Sequence, residues 1–324
     1  NRLTHIDYAD DTLDVTLAYD AGANGKGQLT QITDGSGSTT YSYDELGNIT
    51  AKTSTISGKS FTVGYDYNGA SQLTRMTQPS GRVVNLTRNT HGLVTGISEV
   101  NGGDSQSLLL NATYAPFGSA KSYTLGNGKV QTKAYNLNGQ ITDITVGDIY
   151  QSSISYSADS QITALASSIA EGSNQSFSYD ELDRLTEAIG SYGTLAYSYD
   201  SASNRVSKTS VNDSQTLSYI ANSNQLIAPY SHDANGNRTK DTKRRYSYGE
   251  HNRLAEVVNE ESGIITTYLY NGIGQRVKKS NVFGEVYFIY DEQGLLVAEA
   301  KEQGAVVKEY VYFEGQPLVM LVGE

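Results

Sequence analysis

A single motif recurs along the chain: aromatic-x-Tyr-Asp-x-x-Gly-x-aliphatic. It is explicit at Tyr41-Ser42-Tyr43-Asp44-Glu45-Leu46-Gly47-Asn48-Ile49 and at Phe177-Ser178-Tyr179-Asp180-Glu181-Leu182-Asp183-Arg184-Leu185. It returns at Tyr197-Ser198-Tyr199-Asp200, at Tyr268-Leu269-Tyr270-Asn271 with Gly274, and at Phe288-Ile289-Tyr290-Asp291 with Gly294. Register tyrosines fall at Tyr19, Tyr43, Tyr67, Tyr114, Tyr135, Tyr156, Tyr179, Tyr199, Tyr219, Tyr270, Tyr290 and Tyr312. From Tyr135 to Tyr219 the steps are 21, 23, 20 and 20 residues. That period is too short for a strand-helix-strand unit and suits one strand pair per repeat.

Each position has a physical reason. Alternation at aromatic-x-Tyr puts both rings on one strand face. Aspartate at the first turn position accepts a hydrogen bond from the backbone amide two residues on. The glycine three residues later supplies the positive φ of a type I turn followed by a bulge. Asn48, Asn138 and Asn204, near that site, are expected to tolerate the left-handed conformation. The candidate site residues are therefore structural turn residues: Tyr43, Asp44, Gly47, Tyr179, Asp180, Tyr199, Asp200, Tyr270, Gly274, Tyr290, Asp291 and Gly294. Degenerate copies put Arg88 and His232 in the tyrosine slot, and the copy at Tyr248-Gly249-Glu250-His251-Asn252 lacks the Asp and the Gly.

A lone hairpin is marginal in water, so stability must come from pairing between neighbours. No sustained 3.6-residue period competes with the strand reading. Ala164–Glu171 is the most helix-like stretch, and Asp34–Thr40, Val100–Gln106 and Ser167–Ser176 are expected to be lengthened hairpin loops. The expectation is an all-β chain of tandem β-hairpin repeats with negligible helix, one continuous repeat domain over residues 1–324.

Composition narrows the function. Only 37% of the 324 residues are hydrophobic, which is little for one deep core of that size. A net charge of -11 argues against nucleic acid or an anionic membrane as partner. There is no cysteine, which removes disulfides and thiolate metal sites. No apolar run is long enough for a membrane-spanning helix, and membrane insertion is not expected.

On these motifs the chain resembles the RHS, or YD-repeat, family. Members include shells of bacterial polymorphic toxins, the encapsulating component of insecticidal toxin complexes, and the teneurin barrel. The resemblance covers essentially the whole chain. Tyr310–Leu318 looks like the stretch that leads into the family's core-associated motif. It implies a spiralling β-sheet shell segment, structural and non-catalytic, enclosing a C-terminal toxin or other polypeptide cargo. The implied partners are the remainder of a longer parent chain, namely further repeats, the core-associated motif and a cargo domain. The implied location is secreted or cell-surface. The alternative is an adhesion or carbohydrate-binding module, with glycans as partners.

Other chemistry has weaker support. Asp7, Asp10, Asp11 and Asp14 read as a solvated acidic strand, since no glycine turn builds a calcium loop there. Asp233-Ala234-Asn235-Gly236-Asn237 imitates the start of an EF-hand loop, but Arg244 stands where the bidentate glutamate belongs, so a repeat turn is expected. With four histidines and no cysteine, no nucleophile-base pattern appears, and His91, His232 and His251 sit in repeat turns. No enzyme activity, cofactor or metal is expected. Tyrosine rings also stack on sugars, but their strict spacing favours cross-strand packing over a local pocket.

Overall fold

The computed structural model describes residues 1–168 and 173–323. Strands occupy most of the chain, and the only helical element among the described residues is a single 3-10 turn, Asp11–Leu13. Strands pair antiparallel with the next along the chain, as in Leu29–Asp34 with Gly37–Tyr43 and then Ile49–Ile56, in two sheets of twenty and ten strands that part between Ser214–Thr216 and Ser231–His232. The chain is an all-β array of tandem hairpins.

Contacts divide it into two compact units. One joins Asn1–Leu108 with His232–Glu324; the other is Leu109–Ser231. The first holds a buried cluster drawn from distant sequence. Ile56, Phe61, Val63 and Tyr65 meet Val277, Tyr287, Ile289, Val297, Ala298 and Ala300. The Phe61 and Tyr287 rings lie 5.9 Å apart, tilted by 42°. Each fully buried side chain of this size contributes about 1.5–3 kcal/mol, so this cluster is the main hydrophobic term of the unit. The second unit buries Leu109, Tyr123 and Leu226 together with Ala112, Ala115, Ala120 and Ala188, while Val130, Ile149, Ile162 and Val211 stay exposed.

Every well-formed repeat carries a bulge that the motif alone does not announce. Tyr43 pairs with Ile49 and Ser42 with Ala51, which leaves Thr50 unpaired. Thr30, Thr74 and Thr186 hold the same place. Their hydroxyls donate to the carbonyls of Ala18, Asp66 and Ser178 at 3.1–3.2 Å. An unpaired residue bends its strand and raises the local twist, so the hairpins closed by these turns carry the same bend.

Several expectations are corrected. Asp34–Thr40 and Val100–Gln106 are not lengthened loops. They are tight two-residue hairpins, closed by Gly35-Ser36 and by Gly102-Gly103, with Gly102 at φ 58° and Gly103 at φ 100°. Adjacent glycines supply the two positive φ angles that a primed turn needs. Ala164–Ala166 ends the strand Ile162–Ala166 rather than opening a helix; residues 169–172 lie outside the described residues. The acidic cluster is a capped turn, not a strand. Asp10 Oδ1 accepts from the Thr12 amide at 3.0 Å, and Asp14 Oδ1 from the Tyr8 amide at 2.9 Å.

Candidate functional site

The repeat turns share one geometry. Asp44 Oδ1 accepts from the Leu46 and Asn48 amides at 2.9 and 2.8 Å. Asp180, Asp200, Asp233 and Asp291 repeat this pair of bonds at 2.8–3.0 Å. The EF-hand-like segment at Asp233 is such a turn. Gly47, Gly274 and Gly294 adopt φ of 83°, 87° and 85°. Where glycine is missing, Asp183 and Ser203 take the left-handed position at 62° and 65°. Asn48, Asn138 and Asn204 do not take it: Gly47 and Ser203, just before Asn48 and Asn204, do, and so does Gly139, just after Asn138. Asn48 and Asn204 instead donate their side-chain amides to Asp44 Oδ2 and Asp200 Oδ2 at 2.8 and 3.0 Å. These bonds, together with the turn amides, hold both aspartates below the ordinary carboxylate range.

The tyrosines are struts between repeats. Tyr43 Oη donates to the Leu29 carbonyl at 2.6 Å and Tyr67 Oη to Ile49 at 3.0 Å. Tyr179, Tyr199, Tyr290 and Tyr312 reach Ile162, Leu185, Arg276 and Leu296 at 2.7–2.9 Å. In each case the acceptor begins the returning strand of the preceding hairpin. Arg88, in the tyrosine slot, donates to the matching carbonyl of Leu73 through Nε and Nη2 at 3.2 and 3.0 Å. The slot thus requires a long donor rather than an aromatic ring. The hydroxyls of the repeated tyrosines are thus engaged on backbone carbonyls of the sheet itself.

The predicted turns stay separate; the one after Tyr270 reaches beyond its own and the next hairpin, its Gly272 amide donating to Asp34 Oδ2 at 2.7 Å. Asp291 differs from the others. It is only 3% exposed and lies in a polar seam inside the first unit. Lys52 Nζ donates to the Asp291 carbonyl at 2.8 Å, and the Glu292 amide donates to Tyr65 Oη at 3.0 Å. Burial pushes the Asp291 carboxyl up to about 6, lowers Lys52 and raises the Tyr65 phenol. Beyond it, Glu309 accepts from Ser80 Oγ at 2.8 Å and from Arg82 Nε at 3.0 Å, while Arg82 also pairs with Glu99. These groups join positions more than 220 residues apart, and the motif did not point to them. The signal was present in strand alternation, since Glu309 shares an inward face with Val311 and Phe313, and Lys52 one with Ser54 and Ile56.

Beside Asp291 lies a cavity of about 270 Å³, walled by Leu73, Met76, Val84, Ile97, Leu295 and Val311. Gln78, Glu292 and Arg88 also line it. Elsewhere, His5, Asp7 and Asp14 each place one ligand atom within 4.8 Å of the others, with His5 and Asp7 exposed to solvent.

These features define a class: a tandem β-hairpin repeat protein whose hairpins are closed by aspartate turns and tied by tyrosine struts. An RHS-repeat family model matches residues 24–60, and the same register recurs along the rest of the chain, which thus resembles the RHS-repeat, or YD-repeat, family. Among curated proteins it is similar to the tRNA3(Ser)-specific nuclease WapA of Bacillus spizizenii, 27% identical over 64% of this chain and 9% of that protein. It is also similar to the tRNA nuclease WapA of Bacillus subtilis, 34% identical over 41% of this chain and 6% of that protein. The chain therefore spans less than a tenth of the length of these relatives. Among solved structures, TcdB2-TccC3 superposes with a TM-score of 0.77 at 14% identity, covering 99% of this chain and 23% of that one. The Photorhabdus luminescens Tc holotoxin pore gives 0.75 at 13% identity, covering 98% and 22%. At such identity the likeness speaks for the fold.

Proposed function

We propose that the chain is a non-catalytic wall segment, one continuous repeat array over residues 1–324 within a longer exported polypeptide that encloses a polypeptide cargo. The observation that carries this reading is the strut ladder, in which the most repeated side chains are committed to backbone turns and carbonyls rather than to a shared pocket. Residues arranged this way build a surface. The turn residues, from Tyr43, Asp44 and Gly47 to Tyr290, Asp291 and Gly294, serve that surface. The near-complete coverage of this chain by toxin-complex folds supports the same reading. The WapA relatives are named as tRNA nucleases, and each matches this chain over a small part of its length, which fits a scaffold that accompanies an activity located elsewhere.

Two measurements test it. Transfer RNA incubated with the purified chain should remain intact; cleavage that a point substitution in this chain abolishes would refute the non-catalytic assignment. In the full-length polypeptide that carries the array, segments outside it should resist trypsin until the array unfolds. Cleavage of those segments at the rate of a free peptide would rule out enclosure.

A further inference from the structure

The cavity beside Asp291 has a one-sided polar chemistry. Gln78 is 1% exposed, and its Oε1 has no hydrogen-bond partner; Glu292 Oε2 is likewise buried without one. The Gln78 amide orientation is fixed by its other end, since Nε2 donates to the Tyr310 carbonyl at 3.1 Å. Both unpartnered atoms are therefore acceptors, and both residues line the same cavity. The one cation on its wall is already committed, with Arg88 donating to Leu73 and to Gly92, the latter at 2.7 Å. Asp291 adds a second carboxyl, its Oδ1 taken by its own turn amides. A buried acceptor left without a partner is costly, so two in one cavity call for a donor.

Water alone fits poorly. A cavity of about 270 Å³ has room for several waters at about 30 Å³ each, but about half of its lining residues are aliphatic and give a water no hydrogen-bond partner. A bare metal ion would leave the same aliphatic wall unused. The rim reaches solvent through the exposed residues Gln293, Glu314 and Gly315, which gives a ligand a way in.

We propose that this cavity binds a primary ammonium group on a short aliphatic stem, its head taken by the free acceptors of Glu292 and Gln78 and its stem by the aliphatic wall. A free aliphatic amine and a lysine side chain of a polypeptide share that chemistry. The site stands independently of the wall-segment reading.

The test is calorimetric titration of the purified chain at neutral pH with n-butylammonium, n-butanol and N-acetyl-lysine-methylamide. Saturable binding of n-butylammonium with none of n-butanol is expected. If the lysine amide also binds, the site accepts polypeptide lysines; if it does not, the site selects free amines; both outcomes support an ammonium site. Glu292→Gln keeps the shape and removes the charge, and should weaken binding by about tenfold, the size of one charged hydrogen bond. Equal binding of butanol and butylammonium, or no saturable binding at all, would overturn the proposal. So would unchanged affinity in a folded Glu292→Gln variant. Should that variant fail to fold, the butylammonium–butanol contrast on the unaltered chain decides alone.

Discussion

Strands Lys59–Tyr67 and Gly284–Tyr290 both run into a repeat turn, yet they bury different residues. In the first, Phe61, Val63 and Tyr65 go inward, on the face that carries Tyr67. In the second, Tyr287 and Ile289 go inward, on the face opposite Phe288 and Tyr290. The aromatic-x-Tyr face supplies the core in one strand and only half-buried residues in the other. The intervening residues account for this. Thr62, Gly64 and Asp66 are small or polar, so only one face of the first strand is fit for burial. The second strand is apolar on both faces, and Phe288 is left beside the Arg276 guanidinium at 4.9 Å. The motif thus specifies the turn and its pairing, and the residues between its positions decide which face is covered.

That difference predicts an order of effects. Tyr287→Ala should cost about 3–5 kcal/mol, as truncation of a buried aromatic does, while Phe288→Ala one residue away should cost much less. Comparable melting shifts for the two would mean that the assigned inner face is wrong.

The turn glycine comes next. Gly294 lies at φ 85°, and an added Cβ would sit 3.3 Å from Gln275 Nε2. Gly294→Val should destabilise more than Gly294→Ala, because β-branched residues are worst in the left-handed region. Equal shifts would remove the strain argument.

The struts should be weaker still. Tyr179→Phe and Tyr199→Phe keep half-buried rings and delete one hydroxyl bond each, at about 0.5–1.5 kcal/mol. Denaturant midpoints check this, and a null result in both would reduce the strut to a passive contact.

The smallest effect concerns pH. The folded-state carboxyl of Asp291 is raised to about 6 by burial, above its value in an unfolded chain. Its contribution to stability is fully present below the unfolded pKa and is lost as pH rises through about 6. The half-buried turn carboxylates Asp44, Asp180 and Asp200 are lowered instead, so their contribution is lost only as pH falls below the ordinary carboxylate range. Asp291→Asn retains the turn acceptor, as Asn271 does in a sister turn at 2.9 Å. It should therefore help stability more at pH 7 than at pH 5. Stability curves of the two proteins that stay parallel across this range would contradict the shift.

What the sequence disclosed follows from what is local. Asp44, Gly47 and their equivalents act within five residues, so their chemistry is legible in one copy. The strut acceptor is one repeat away and depends on the sheet pairing, which spacing suggests and geometry completes. Thr30, Thr50, Thr74 and Thr186 each follow the aliphatic residue after the turn, but their unpaired state needs the partner strand. The partnership of Asn1–Leu108 with His232–Glu324 was not legible. Alternation shows that a face is buried and leaves open which segment covers it. Gln78 stands in an ordinary-looking Thr-Gln-Pro-Ser turn, and only the folded chain shows its buried oxygen unpaired.

The joining of those two segments is the central structural claim, and hydrogen exchange in the Tyr287→Ala variant tests it most directly. If Phe61 and Tyr287 belong to one core, the substitution should speed amide exchange in Lys59–Tyr67 as well as in Gly284–Tyr290, by similar factors. Loss of protection confined to Gly284–Tyr290 and its neighbouring strands, with Lys59–Tyr67 unchanged, would show that the two segments fold without each other.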